Sequence, residues 1–289
     1  MSIELVIPAR TRSLGTVDVR RVLPFAHRRL VGPFIFFDHF GPILKTPEMN
    51  FDVRPHPHIG IATVTYLFEG EILHRDSIGS VRRIRPSDVN WMIAGRGIVH
   101  SERTPPDLRQ ATGMAHGLQL WVALPTEEEE REPRFDHHPG ATLPRASAGG
   151  IEMRVVAGTA YGKTSPVTTL TPTLYVHADL DPGATLELDD EHEERAAYVV
   201  LGAVRADDKP FHAGDMLVFR SGSKASLTAT ERTTVVLVGG QKLEGTRHID
   251  WNFVSSSKER IERAKDDWRN RRFPAIPGDD EEFIPLPDA

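Results

Sequence analysis

Two stretches carry side chains whose types and spacing could do chemistry. Pro55-His56-Pro57-His58-Ile59-Gly60 places two imidazoles two residues apart. Ala94-Gly95-Arg96-Gly97-Ile98-Val99-His100-Ser101-Glu102 does the same for an imidazole and a carboxylate. On a β-strand residues i and i+2 point to one face, so each pair aims both groups the same way. Two such strands side by side would bring His56, His58, His100 and Glu102 to one point. Three neutral imidazoles and one carboxylate form a mixed N/O site for a borderline divalent cation such as iron, manganese, nickel, copper or zinc. Four ligands on an octahedral ion leave two positions for water, dioxygen or a chelating substrate, which marks a reactive site rather than a closed structural one. A His-x-His pair also arises by chance on exposed strands, and His-x-Glu alone is a weak signal. The two together, with a glycine-rich corner before the second, carry the reading.

These groups need strands to hold them, and the sequence supplies strand patterns around both. Thr16-Val17-Asp18-Val19-Arg20 and Phe34-Ile35-Phe36-Phe37-Asp38-His39-Phe40 read as short strands separated by Pro24 and Gly32-Pro33. The run Ile59 to Phe68 is rich in β-branched residues and ends at the turn Glu69-Gly70-Glu71. Ile72 to Ser77, Val89 to Ala94 and Leu118 to Leu124 follow as further strands. Short strands at this spacing predict an antiparallel barrel or sandwich. His39, beside aromatics, reads as a packed and hydrogen-bonded residue. His74 and Asp76 either orient a ligand imidazole or make ordinary strand-end hydrogen bonds, the second reading being favoured. Trp91 and Met92 are adjacent, so only one can face a barrel interior, and Arg96 reads as turn chemistry. Pro125 to Pro133 is acidic and reads as a surface connection, with His137 and His138 as exposed loop histidines.

Composition excludes several function classes. The 289 residues exceed the usual single-domain size and predict two domains. Apolar residues make up 39 %, and no apolar run is long enough to span a bilayer. The first residues show no basic segment followed by an apolar one, so no signal peptide is expected. The absence of cysteine excludes disulfides, thiolate ligands and cysteine nucleophiles, and a cytoplasmic location is expected. A net charge of −6 is a poor match to a nucleic-acid backbone, so direct nucleic-acid binding is not expected.

The chain repeats itself. Arg85-Pro86-Ser87-Asp88 resembles His212-Ala213-Gly214-Asp215, and Gly95 and Gly222 keep the same offset as Asp88 and Asp215. Tyr66 and Gly70 find counterparts in Tyr198 and Gly202. Carried across, His100 falls on Leu227 and Glu102 on Ala229, so the second copy is expected to lack the metal site. Expected domains are residues 1–135 with the metal, 136–250 without it, and 251–289 as a C-terminal helix and tail. Ser256 and Glu259 fit a capping box, and Ile261, Ala264, Lys265 and Trp268 recur at helical spacing. The tail Phe283-Ile284-Pro285-Leu286-Pro287 could latch onto a groove.

These residues carry a resemblance. His56-Pro57-His58-Ile59-Gly60, Thr65-Tyr66, His74-Arg75-Asp76-Ser77-x-Gly79, Trp91-Met92-x-Ala94-Gly95-Arg96-Gly97-Ile98 and His100-Ser101-Glu102 resemble the pirin family of the cupin superfamily. The resemblance implies an all-β chain of two tandem cupin domains, antiparallel β-barrels or jelly rolls, followed by a C-terminal helix. It implies one metal, usually iron, in the N-terminal domain alone, on His56, His58, His100 and Glu102. Where cupins in general place a glutamate after the second histidine, Ala62-Thr63-Val64 stands, a departure that pirins share. Two functions follow from the resemblance. One is opening of flavonols such as quercetin with dioxygen, with Glu102 as the catalytic proton acceptor. The other is a non-enzymatic, metal-dependent role as partner of a transcription regulator or metabolic enzyme.

Overall fold

The computed structural model describes residues 1–13 and 17–287. Thr16, at the head of the first expected strand, lies outside them, and the strand observed there is Asp18–Leu23. The chain is built from antiparallel strands with one α-helix, Lys258–Arg269, among the described residues. That helix is far too short and polar to cross a membrane, and none of the described residues forms one that could.

The residues pack as two compact units. One comprises Met1–Arg12, Val19–His39 and Ala141–Leu243; the other comprises Ser13–Asp18, Phe40–Gly140 and Glu244–Ala289. In the first unit a long sheet runs in the order Ile3–Pro8, Asp215–Phe219, Glu194–Leu201, Thr233–Gly240, Thr173–Leu180, Ile151–Ala160, Arg145–Ala148. A four-stranded sheet, Thr185–Leu188, Ala225–Ala229, Ala203–Ala206 and Lys209–His212, faces it across an apolar core. The core is read directly from period-two alternation: Ala197 with Val199, Leu217 with Phe219, and Val235 with Leu237 all point inward. Leu227 and Ala229, the positions matching His100 and Glu102, are buried in this core as apolar side chains.

The repeat is visible in turn chemistry. Asp88 Oδ2 accepts from the backbone N–H of Arg85, and Asp215 Oδ2 accepts from that of His212. Gly70 and Gly202 both sit at positive φ, +86° and +79°, a conformation that side chains resist. Each copy therefore needs its aspartate and its glycine for the same local reason. His39 is fully buried in the first unit, between Tyr198 Oη on Nδ1 (2.9 Å) and Arg20 on Nε2 (3.1 Å). A guanidinium only donates, so Nε2 is the acceptor and Nδ1 carries the proton. This is the packed, hydrogen-bonded histidine that its aromatic neighbours predict.

The second unit is a two-sheet barrel. One sheet runs Val53–His58, Ile98–Arg103, Ile72–Asp76, Val81–Ile84. The other runs Arg134–His138, Val89–Ile93, Ile61–Glu69, Gly113–Ala123 and the later residues of Phe34–Lys45. Trp91 and Met92 are both buried, so both faces of their strand are covered. Arg96 is exposed, pairs with Glu132, and sits in the tight corner between Gly95 and Gly97.

Three local readings are corrected. The helix N-cap is Ser257, whose hydroxyl accepts from Arg260 N, and not Ser256. Ser256 is engaged elsewhere: its N–H and hydroxyl both donate to Glu129. Glu129 explains the second correction, because the acidic stretch is not simply surface. Its carboxylate is buried against Arg247 (2.9 Å) and Ser255. Third, His137 and His138 lie on the strand Arg134–His138 and not on a loop; His137 Nδ1 meets Asn90 Oδ1 at 2.7 Å. The helix face itself is as periodicity predicts, with Ile261, Ala264 and Trp268 buried.

Candidate metal centre

The strands Val53–His58 and Ile98–Arg103 are antiparallel neighbours, with His56 directly opposite His100 and His58 opposite Ile98. Two-residue periodicity then turns all three imidazoles to the barrel interior. Ring centroids are 4.3 Å apart for His56 and His100, 5.0 Å for His56 and His58, and 5.1 Å for His58 and His100. One nitrogen from each ring lies within 4.8 Å of the others, a group able to hold a metal ion.

The hydrogen bonds around the rings decide which nitrogens face the centre. His56 Nδ1 lies 2.8 Å from the carbonyl of Arg54, and His58 Nδ1 lies 3.0 Å from the carbonyl of Asn252. A carbonyl can only accept, so both Nδ1 atoms carry protons and both Nε2 atoms are left as lone-pair donors. His100 differs: both its ring nitrogens are buried and neither has a hydrogen-bond partner among the described residues. Orphaned buried polar atoms are rare and costly, and a bound cation would satisfy one of them. The donor set thus fits a borderline divalent metal.

Burial keeps the three rings neutral, the form that ligates. It pushes His56 down to about 4, and His58 and His100 well below the ordinary imidazole value, helped by the charge of neighbouring rings. The same burial raises Glu102, against the pull of His74 and a Thr65 hydrogen bond. Glu102 is two residues beyond His100 on the same strand, but its carboxylate is not part of the three-histidine group. It is held from across the barrel: Thr65 Oγ1 lies 3.1 Å from Glu102 Oε1 and 2.9 Å from Gln119 Oε1. A hydroxyl has one proton, so this chain has a direction. Either Thr65 donates to an ionised Glu102 and Gln119 turns its amide NH2 to Thr65, or a protonated Glu102 donates to Thr65, which donates to Gln119.

Of the two readings of His74 and Asp76, the structure shows the strand-end hydrogen bond and, among the described residues, no hydrogen bond from either to a ring nitrogen of His56, His58 or His100. His74 Nε2 meets Asp76 Oδ2 at 2.9 Å, while Asp76 Oδ1 accepts from Ile78 N and Ser80 N in the following turn. Asp76 lies opposite His100 and His74 opposite Glu102 in the strand pairing. The His74 ring stacks on Phe135 at 4.3 Å and lies 5.4 Å from His100. The pair is a strand-end hydrogen bond that also walls the histidine group.

The interior is layered by strand register. Thr63 pairs with Trp121, Thr65 with Gln119, and Leu67 with Gly117. Trp121 packs on His58 at 5.2 Å, so the first layer borders the histidines. The second layer is Thr65, Gln119 and Glu102. Beyond it opens a cavity of about 290 Å³, lined by Phe40, Phe51, Leu67, Ile72, Thr104 and Leu108 among others. None of the three histidines lines it, and Glu102 lies between them and it. Thr65 was legible as a polar residue in a β-branched run. Asn252 was not, since nothing local in the sequence ties residue 252 to residue 58.

A two-sheet antiparallel barrel with a buried three-histidine group able to hold a metal ion, followed by a second barrel of the same build, is the form of a bicupin. The chain belongs to the pirin family: residues 16–122 match Pirin and residues 175–274 match the Pirin C-terminal cupin domain. It is 52 % identical to a pirin-like protein of Caulobacter vibrioides over 99 % of this chain and all of that one. Human pirin is 32 % identical, with 93 % of each chain covered. Among solved structures, a quercetin 2,3-dioxygenase from Acinetobacter baumannii superposes with a TM-score of 0.92 at 31 % identity, covering 99 % of this chain and 95 % of that one.

Proposed function

We propose that this protein is a metal-dependent dioxygenase that opens flavonols such as quercetin, with iron(II) held by His56, His58, His100 and Glu102. The observation that carries the reading is the pair of partnerless ring nitrogens on buried His100, set against two imidazoles whose Nε2 atoms are freed by carbonyl bonds. The likeness to the Acinetobacter baumannii quercetin 2,3-dioxygenase supports the choice of substrate class.

When bound, the metal would supply Lewis-acid activation of a chelating 3-hydroxyl and 4-carbonyl. The chain's own residues do the rest. Glu102 stands between the histidines and the cavity, where its carboxylate takes the proton of the flavonol 3-hydroxyl. Thr65 and Gln119 hold that carboxylate and can reverse their hydrogen bonds when it changes protonation. The cavity lined by Phe40, Phe51 and Leu67 offers apolar surface for the flavonol rings, but it lies beyond the layer of Thr65, Gln119 and Glu102, so a flavonol chelating at the histidines reaches them only if the Glu102 side chain gives way.

The test is a single sample, loaded with iron without oxygen, its metal content measured, then given quercetin and dioxygen. Dioxygen consumption with release of carbon monoxide is expected, and Glu102→Gln should weaken metal binding less than a histidine-to-alanine change does while losing turnover. A fully loaded protein that consumes no dioxygen would overturn the enzymatic reading. A metal-dependent pull-down of a cellular protein would then favour the interaction role.

A further inference from the structure

The strand Ile98–Arg103 has two working faces. His100 and Glu102 point into the barrel, and Ser101 and Arg103, being the alternate residues, point out. The outward pair is gripped by the C-terminal tail. Asp279 accepts from Ser101 Oγ (2.6 Å), Arg103 Nε (3.1 Å) and Arg103 Nη2 (2.7 Å). Glu282 adds an ion pair to the same guanidinium at 2.8 Å. The tail also reaches the other ligand strand: Ile284 N donates to the carbonyl of Pro55, one residue before His56 (2.8 Å). Trp268 of the helix donates to the Ile284 carbonyl and so pins the tail in turn. Residues 276–286 therefore strap together, from outside, the two strands whose inner faces present His56 and His100.

Apolar packing also holds the strap: Ile276 is buried in a cluster with Ile59, Val99, Phe253 and Trp268, and Phe283 and Leu286 pack against it. A cavity of about 270 Å³ lies beside it, lined by Pro55, Val99, Trp268, Phe273 and Phe283. The polar contacts to the ligand strand Ile98–Arg103 centre on Asp279. Ser101 is fully buried and the Arg103 and Asp279 side chains are only 13 % and 11 % exposed, so these bonds are shielded from water and strong. Between the same two strands the pairing shifts register just after His100, beside the outward Ser101 and Arg103 that Asp279 grips.

We infer that Asp279 is a positioning residue for the metal centre, and that docking of the tail and binding of metal at His56, His58 and His100 are coupled. The inference rests on the metal reading of those histidines. A metal that needs the two strands in register favours the docked tail, and the docked tail favours the metal by the same factor, because such coupling is reciprocal.

Cobalt(II) is the probe, titrated into chelator-stripped protein with hydrogen exchange of residues 276–286 followed in parallel. Asp279→Asn should weaken cobalt binding about tenfold, within the usual range of coupling between sites. Asp280→Asn removes the same charge from an exposed neighbour and should leave affinity unchanged, which separates positioning from simple cation attraction. In the wild type, cobalt should slow exchange in the tail; in Asp279→Asn it should not, and the cobalt absorption bands should shift with the altered geometry. Asp279→Glu, which keeps the grip on a longer stem, should restore part of the affinity. Equal affinity in Asp279→Asn and wild type, or tail exchange indifferent to cobalt, would overturn the coupling. A wild type that binds neither cobalt nor iron would instead overturn the metal reading on which it rests.

Discussion

His56 and His100 face each other across two strands with their rings 4.3 Å apart, yet only His56 of the two has a hydrogen-bond partner. This asymmetry gives a prediction about stability without metal. A buried polar group left unsatisfied costs about 1–3 kcal/mol. His100→Leu should therefore leave the metal-free fold as stable as the wild type or slightly more so, while abolishing metal binding. His58→Leu should lower stability, because it strands the carbonyl of Asn252. Urea unfolding of chelator-treated protein distinguishes them, and an equal loss in both variants would count against the orphaned-nitrogen reading.

Glu129 and Arg247 form a second buried relationship, with side chains 6 % and 1 % exposed. Removing one member of a buried pair leaves an uncompensated charge and costs about 3–5 kcal/mol. Glu129→Ala should lose stability on that scale, and more than its lost hydrogen bonds to Ser255 and Ser256 would explain. Adding Arg247→Met to Glu129→Ala should recover part of the loss. The check is a double-mutant cycle in denaturant; simple additivity of the two single losses would contradict it.

Much of this architecture was legible because strands write their faces into the sequence. His56, His58, His100 and Glu102 share parity on two strands, and the same parity put Leu227 and Ala229 inside an apolar core. The Asp88 and Asp215 turns repeated because each caps the same corner. What was illegible depends on distant residues meeting. Ser256 looked like the N-cap until Glu129, 127 residues earlier, engaged it. Asn252 supplies only a backbone carbonyl to His58, and a carbonyl has no residue signature. That Ile3–Pro8 pairs with Asp215–Phe219 is likewise a long-range fact, since the strand pattern of residues 3–8 fits any neighbour.

Gly60 joins the His58 strand to the next one at φ +67°, and a Cβ there would lie 2.0 Å from the carbonyl oxygen of Val254. Gly60→Ala must therefore push away the segment that carries Asn252, the residue fixing His58. Gly79, at φ +90°, has nothing within 4 Å of its would-be Cβ. Gly79→Ala should cost only backbone strain, about 1–3 kcal/mol, whereas Gly60→Ala should cost more and also reduce metal affinity. Thermal unfolding together with metal titration would show the difference; unchanged metal affinity in Gly60→Ala would break the proposed link between that turn and His58.

The last prediction concerns the hydroxyl between Glu102 and Gln119. Thr65→Val keeps the volume and the β-branch but removes the hydrogen bond that steadies the carboxylate. The three histidines are untouched, so metal occupancy should stay at the wild-type level. A hydrogen bond to a charged group contributes about 1.5–3 kcal/mol, so turnover of quercetin should fall roughly ten- to a hundredfold if Glu102 takes the substrate proton. The loss should fall on kcat more than on KM, because Thr65 does not line the cavity proposed for the flavonol rings. Gln119→Leu should act in the same direction more weakly, since it leaves Thr65 able to donate to Glu102 but fixes the hydroxyl in that one direction. Full turnover in Thr65→Val with metal bound would mean that the Glu102 carboxylate needs no such support, and would remove the Thr65–Gln119 chain from the mechanism.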